Sequence, residues 1–231
     1  MSKELSLDEI FESCFAFFEA EENQAAYDLL TESAPRFPEQ AMLIYNWRYC
    51  VAALLDKADL SLEIMQEAYD SGFWWSEEYL MSDDDLQVLQ DFPAFNQLVD
   101  KFEERYQAAQ ASSKPFALPL PLPTKKTDSF PLLLALHGNT QNAENSVEFW
   151  ESAVEEGWLT VLLQSSQIAG PDAYVWDDLE LCGKEIKDHY QQLEGKYSID
   201  PERVVIGGFS KGGEMAIWQT LMNIIPVSGF I

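Results

Sequence analysis

The sequence is poor in positive charge. Its 14 lysines and arginines stand against 40 aspartates and glutamates, so the formal net charge is −26. A surface of this kind repels phosphate backbones and anionic lipid headgroups. The charge balance therefore argues against nucleic acid or an anionic membrane as a partner. We interpret the acidity first as a solvated surface that keeps the molecules apart.

Cysteine is also scarce, and long apolar runs are absent. Cys14, Cys50 and Cys182 are odd in number, far apart and in no metal-ligand spacing, which predicts reduced core thiols in a cytoplasmic protein. The amino-terminal residues lack the basic and apolar regions of a signal peptide, and no run is long enough to span a membrane. We expect no metal, no cofactor and no membrane span.

Residues 1–110 have the spacing of helices throughout. Ser6 begins the pattern of a capping box ahead of an apolar helix face. Two helix pairs then follow each other at a period of about 34 residues, which is typical of helical repeats. The first pair resembles a tetratricopeptide repeat, with Ala26, Leu30 and Pro38 at that family's small, large apolar and closing positions. The resemblance implies a helical-repeat domain that binds a partner protein or covers a neighbouring domain.

Three consecutive aromatic residues, Phe73–Trp75, interrupt these helices. Such a run is a plug in the core or a contact between domains more often than it is a binding site. The acidic run Asp83–Asp85 lacks the alternating ligands of a calcium loop, so we expect a solvated turn there. A last helix is predicted from Pro93 to about Ala109, followed by a small polar linker at 111–114.

Residues 115–231 have alternating strand and helix patterns. The segment 116–123 alternates in polarity but carries prolines, which predicts an edge strand or an extended cover. Pro131–Leu136 is a continuous apolar run, of the kind that is buried on both faces of a parallel sheet. Val227–Ile231 is expected to form a strand parallel to Val204–Gly207. This alternation predicts a mainly parallel α/β sheet with right-handed crossovers.

The most informative stretch joins the apolar strand at 204–207 to a helical pattern that begins near Glu214. Between them lie Gly208, Ser210 and Gly212 in the spacing Gly-x-Ser-x-Gly. Glycines two residues before and two after the serine let the strand and the helix approach closely. A serine at the tip of so sharp a turn adopts strained backbone geometry with an exposed hydroxyl. The pattern predicts a nucleophilic serine, and an ordinary strand-to-helix turn is the alternative.

This motif, together with His137 and Gly138 after the strand at 131–136, resembles the α/β-hydrolase family. Within that family the chain is most similar to small carboxylesterases, phospholipase/carboxylesterases and dienelactone-hydrolase-like enzymes. The resemblance covers residues 115–231 and implies the α/β-hydrolase fold. It also implies a serine hydrolase that acts on a carboxylic ester, a thioester or a lipid ester.

The resemblance assigns roles to individual residues. Ser210 corresponds to the nucleophile, and the backbone N–H groups of Lys211 and Asn139 correspond to the oxyanion hole. His137 falls in the loop that supplies this hole, where its implied role, like that of Gly138, is to shape the loop. The two glycines that flank Ser210, Gly208 and Gly212, shape the turn itself. His189 lies in a helical pattern and is expected at the surface.

The sequence departs from the family's pattern after Ser210. The family's triad runs in the order serine, acid, histidine, yet no aspartate and no histidine follow Ser210. We expect that the fold lacks its last strands, that the triad acid and histidine lie beyond Ile231, and that this chain alone is nearly inactive. The alternative is a non-catalytic interaction protein whose hydrolase-like part is a scaffold. Where the last strands are missing, the strand at Val227–Ile231 would leave an apolar edge that promotes self-association.

Overall fold

The computed structural model describes residues 5–124 and 127–231, which fall into two units that meet between Tyr106 and Gln107. The first unit is built from helices joined by short turns. Among its described residues, six α-helices begin, and the last of them continues into the second unit: α1 Leu7–Glu19, α2 Asn23–Ser33, α3 Ala41–Leu54, α4 Ala58–Asp70, α5 Glu77–Ser82 and α6 Pro93–Ser112.

The helix boundaries of the first unit follow from its sequence signals. Ser6 caps α1 through the predicted capping box, in which Glu9 N–H donates to Ser6 Oγ at 3.2 Å and Ser6 N–H donates to the Glu9 carboxylate at 2.8 Å. Helix α6 extends to Ser112, past the predicted end near Ala109 and through the first two residues of the predicted linker. No proline or glycine interrupts that stretch, so nothing in it ends the helix.

The aromatic run belongs to the core of the first unit. The ring of Trp75 lies 5.4 Å from that of Tyr49 and 5.5 Å from that of Phe102, both in edge-to-face geometry. Trp74 lies 5.9 Å from Tyr106, and both tryptophans are buried. Edge-to-face pairs add to the free energy gained by burying aromatic surface. Trp74 and Trp75 are therefore packed away from solvent, as expected of a plug or a contact between domains, while Phe73 is half-buried.

The second unit contains a five-stranded sheet in the order β1-β3-β2-β6-β7. β1 runs antiparallel to β3 at one edge, and the other pairs are parallel. The strands β4 and β5 form a separate two-stranded sheet within the loop after β3. The bounds are β1 Phe116–Pro119, β2 Phe130–Leu136, β3 Leu159–Gln164, β4 Ile168–Gly170, β5 Ala173–Tyr174, β6 Ile199–Gly208 and β7 Gly229–Phe230, with helices α7 Val147–Glu155, α8 Leu179–Lys196 and α9 Lys211–Leu221.

Strand β2 lies at the centre of the sheet and is covered on both faces. Leu132, Leu134 and Leu136 pack into the large apolar cluster that includes residues of α8 and α9. Ala135 points to the opposite face, where it joins a smaller cluster that residues of α7 cover. Double coverage explains why this strand is apolar at consecutive positions instead of alternate ones.

The expected last strand is present but short. In β7, Gly229 lies opposite Val205 and Phe230 opposite Ile206, in parallel register with β6. The pairing continues beyond the strand, because Gly208 N–H donates to the Ile231 carbonyl at 3.1 Å. Across residues 5–124 and 127–231, no helix is both long and apolar enough to cross a membrane.

Candidate active site

Ser210 lies at a sharp turn between strand β6, which ends at Gly208, and helix α9, which begins at Lys211. Its backbone has φ 52° and ψ −119°, so a non-glycine residue holds a positive φ. Such a conformation costs about 1–3 kcal/mol and persists only where the surrounding structure imposes it. The serine is exposed, while the Glu214 N–H donates to its carbonyl at 3.0 Å and fixes the first turn of α9. Because Ser210 follows the end of β6, its hydroxyl lies at the carboxyl end of the sheet.

The two glycines around Ser210 are required by close backbone contacts. A Cβ on Gly208 would collide with the Gly212 carbonyl and would lie 2.7 Å from the Gly213 nitrogen. A Cβ on Gly212 would collide with the His137 carbonyl oxygen and would lie 2.6 Å from that of Leu136. Strand β6, helix α9 and the end of β2 thus meet at a point that leaves no room for a side chain. This contact brings the His137 backbone beside the serine turn.

His137 is buried, and both of its ring nitrogens are hydrogen-bonded. Ser165 N–H donates to Nε2 at 3.3 Å, which makes Nε2 the unprotonated nitrogen of a neutral ring. The Nδ1–H then donates to the Gly138 carbonyl at 2.7 Å. The ring stacks on Trp176 with centroids 4.7 Å apart, and Trp176 Nε1–H donates to the His137 carbonyl at 3.0 Å. His137 is thus held by four contacts and has no free nitrogen to accept a proton from Ser210.

Burial lowers the pKa of His137 to about 4, against an ordinary value of 6.5. We expect the imidazole to stay neutral until the pH falls to about 4. Above pH 6.5 the ring is neutral in both the folded and the unfolded state, so its burial carries no cost of deprotonation. As the pH falls from 6.5 through 4, the unfolded chain binds a proton that the folded state excludes, and the free energy of unfolding falls. The loss should reach about 3 kcal/mol. An NMR titration of the ring C–H signals, with His189→Gln removing the other imidazole, measures it, and a midpoint near 6.5 would contradict the contacts described.

Two backbone N–H groups, those of Lys211 and Asn139, donate no hydrogen bond among the residues that the structure describes. By contrast, the N–H of Gly138, which directly precedes Asn139 in the loop, donates to Gln141 Oε1 at 3.1 Å. Lys211 is the first residue of α9, and an amide at a helix N-terminus has no partner within the helix. Helix N-termini also favour negative charge. The site thus offers free donors on both sides of the contact between the serine turn and the His137 loop.

The side chain of Lys211 is directed toward carboxylates. Its Nζ lies 3.2 Å from a Glu214 carboxylate oxygen and 4.0 Å from one of Asp177. These ion pairs are at the surface, where each contributes little to stability. The Lys211 ammonium group is thus engaged with two carboxylates.

Sequence reasoning missed three residues that hold the His137 loop: Ser165, Trp176 and Gln141. Ser165 and Trp176 lie in the segment 164–178, which has no regular period and gave no prediction beyond a loop. A tryptophan inside a polar loop is the one signal that could have pointed to a buried anchor. The prediction that His189 lies at the surface was wrong, because its side chain is buried and only 8% exposed. Its Nε2 has no hydrogen-bond partner among the described residues.

One group of side chains outside this site has the composition of a metal site. Ligand atoms of Cys50, Asp83 and Asp85 lie within 4.8 Å of one another in the first unit. The Cys50 thiol is 3.4 Å from Asp83 Oδ2 and donates to it. Burial, followed by the charge of Asp83, raises the pKa of Cys50 and so keeps the thiol protonated. Since the thiol and the carboxylate satisfy each other, the arrangement is explained without an ion.

Comparison with known proteins gives a match in the helical part of the chain. Residues 7–110 match the model of a family described as "A/B hydrolase-like, N-terminal domain". This match supports an α/β-hydrolase family. It falls outside the segment that carries the serine motif, so the two signals are separate. No curated protein matches the sequence significantly. The tetratricopeptide resemblance of the same helices stays a prediction.

Several solved structures are similar to this chain. An uncharacterised protein from Bacillus cereus ATCC 10987 is 29% identical, with a TM-score of 0.45, over 98% of this chain and 72% of that one. Esterase PE8 is 18% identical, with a TM-score of 0.43, over 51% of this chain and 62% of that one. The Bacillus cereus carboxylesterase is 18% identical, with a TM-score of 0.36, over 49% and 57% of the two chains. The chain therefore spans less than two thirds of each esterase.

The sheet of the second unit is mostly parallel and flanked by helices, as in an α/β-hydrolase-like fold. A residue between a parallel strand and the helix that follows it stands at the carboxyl end of the sheet, where ligands of open α/β sheets bind. Ser210 occupies this place.

Proposed function

We propose that this chain carries the nucleophile and the oxyanion hole of a serine hydrolase acting on carboxylic esters or thioesters. The observation that supports it best is the strained, exposed Ser210 between glycines that bring it against the His137 loop. Ser210 Oγ would attack the carbonyl carbon, and the oxygen that becomes negative would accept hydrogen bonds from the N–H groups of Lys211 and Asn139. Each such donor contributes about 3 kcal/mol to stabilising the transition state.

The attack needs a base for the hydroxyl proton. The sequence contains two histidines. His137 is occupied by Ser165 and Gly138, and among the described residues neither histidine is hydrogen-bonded to Ser210. We propose that the triad acid and histidine lie in the natural protein outside these 231 residues.

The same observation favours a second candidate, an interaction protein with a hydrolase-like scaffold and a helical partner-binding part. A serine turn without a base is what such a scaffold would retain. The two proposals differ in one measurable property, since only a hydrolase turns over an ester at Ser210.

Expression of the complete open reading frame that encodes these residues tests the proposal. We expect hydrolysis of short-chain p-nitrophenyl esters, and a loss of about 10⁴-fold or more in kcat for Ser210→Ala. Ser152→Ala, an exposed serine in helix α7, is the matched control and should keep full activity. Absence of turnover in the unaltered protein would favour the scaffold instead.

A further inference from the structure

Glu185 is a buried carboxylate that the chemistry described so far does not use. It lies in helix α8, is 5% exposed and makes no ion pair among the described residues. One of its oxygens accepts the Ser166 N–H at 3.2 Å, and the other accepts the Ser166 hydroxyl. Burying a carboxylate is unfavourable unless hydrogen bonds compensate for it, so an apolar residue would serve better if the position only filled space.

The residue before Ser166 connects this carboxylate to the candidate site. Ser165 N–H donates to His137 Nε2, so two consecutive amides of one turn are bound by two buried acceptors. Gln110 holds the other side of the turn, because its side chain donates to the Ser166 carbonyl at 3.0 Å and accepts the Ile168 N–H at 3.1 Å. The position of the Ser165 amide is therefore fixed from several directions.

The position of this amide determines the state of His137. An N–H that points at Nε2 requires that nitrogen to be unprotonated, so the proton must sit on Nδ1. Nδ1–H in turn holds the Gly138 carbonyl at 2.7 Å. The peptide that joins Gly138 to Asn139 contains this carbonyl and the Asn139 N–H, so fixing one orients the other.

We propose that Glu185 is the positioning residue of the oxyanion loop: through Ser166 and Ser165 it sets the tautomer of His137 and thereby the direction of the Asn139 N–H. This inference rests on the proposed function, because it assigns Glu185 to a hole for a carbonyl oxygen. Burial raises the pKa of Glu185, while the hydrogen bonds from Ser166 oppose that shift, which fits a carboxylate engaged as an acceptor.

The first test observes the imidazole directly and needs no catalytic activity. In ¹⁵N-labelled protein carrying His189→Gln, two-bond ¹H–¹⁵N spectra report the tautomer and the pKa of His137 alone. We expect a pure Nδ1–H tautomer. Glu185→Ala should give a mixture of tautomers and raise the His137 pKa by at least one unit. Glu185→Gln should restore the original state, because an amide can accept the Ser166 N–H and donate to its hydroxyl. Glu180→Ala, an exposed glutamate in the same helix, is the control and should change nothing.

A folded Glu185→Ala protein whose His137 signals are unchanged would overturn the inference. If Glu185→Ala does not fold, Ser166→Ala takes its place, because it removes only the hydrogen bond from the Ser166 hydroxyl to Glu185. This variant should still shift the tautomer equilibrium of His137 measurably. An unchanged equilibrium would overturn the inference equally. Stability is checked by urea unfolding of each variant.

The second test joins the loop to Ser210. In the product of the complete open reading frame, Glu185→Ala should slow fluorophosphonate labelling of Ser210 at least tenfold, and Glu185→Gln should not. A changed His137 with an unchanged labelling rate would overturn the link to the oxyanion hole. An unaltered protein that no fluorophosphonate labels would instead overturn the proposed hydrolase function, whatever His137 reports about Glu185.

Discussion

Replacing Gly212 with alanine should destabilise the second unit by about 3 kcal/mol, the upper end of the usual cost of overpacking, because the atoms that the new side chain meets belong to the backbone. The added Cβ would meet two backbone carbonyl oxygens at the end of the central strand β2, and backbone atoms of a central strand cannot turn aside as a flexible side chain can. Urea unfolding followed by tryptophan fluorescence measures the change in the free energy of unfolding.

The matched control is Gly195→Ala in helix α8. A Cβ there meets no atom within 4 Å, so the substitution should stabilise the protein by about 0.5–1 kcal/mol, through the higher helix propensity of alanine. Equal stabilities for the two variants would contradict the close contact of the serine turn with the His137 loop. A destabilised Gly195→Ala would show instead that the second unit tolerates no change at its glycines.

The 231-residue chain by itself should hydrolyse p-nitrophenyl esters at least about 10⁴-fold more slowly than the product of the complete open reading frame. The oxyanion hole alone gives only residual catalysis when the base is missing, because the serine hydroxyl keeps its proton. Steady-state turnover of both proteins at equal concentration measures the ratio. Equal rates would mean that a base is present among these residues, and Ser210→Ala in the shorter chain would then separate catalysis at the serine from catalysis elsewhere.

The local parts of the site could be predicted because their signals are local. The spacing of Gly208 and Gly212 around Ser210 predicts a sharp turn, and the turn has the strained serine backbone that such spacing requires. The apolar run at 131–136 predicts a strand buried on both faces, and β2 lies at the centre of the sheet. In both cases, the physical cause of the local structure lies in residues that are neighbours along the chain.

The parts that could not be predicted depend on contacts between distant segments. Ser165 and Glu185 act on His137 through a loop with no period, so no pattern in the sequence brings them together. His189 is different, because a signal was present and was misread. Cys182, Ile186 and Leu193 share one face of α8, and His189 falls on that face at helical spacing. A polar residue inside an apolar stripe is buried by the packing of its neighbours.

The central claim is that Ser210 is a nucleophile, and fluorophosphonate labelling followed by peptide mapping tests it most directly. The product of the complete open reading frame, treated with the reagent and digested, should carry one adduct, on the peptide that contains Ser210, and Ser210→Ala should carry none. An adduct on another serine, or an unlabelled protein that is folded by circular dichroism, would contradict the account.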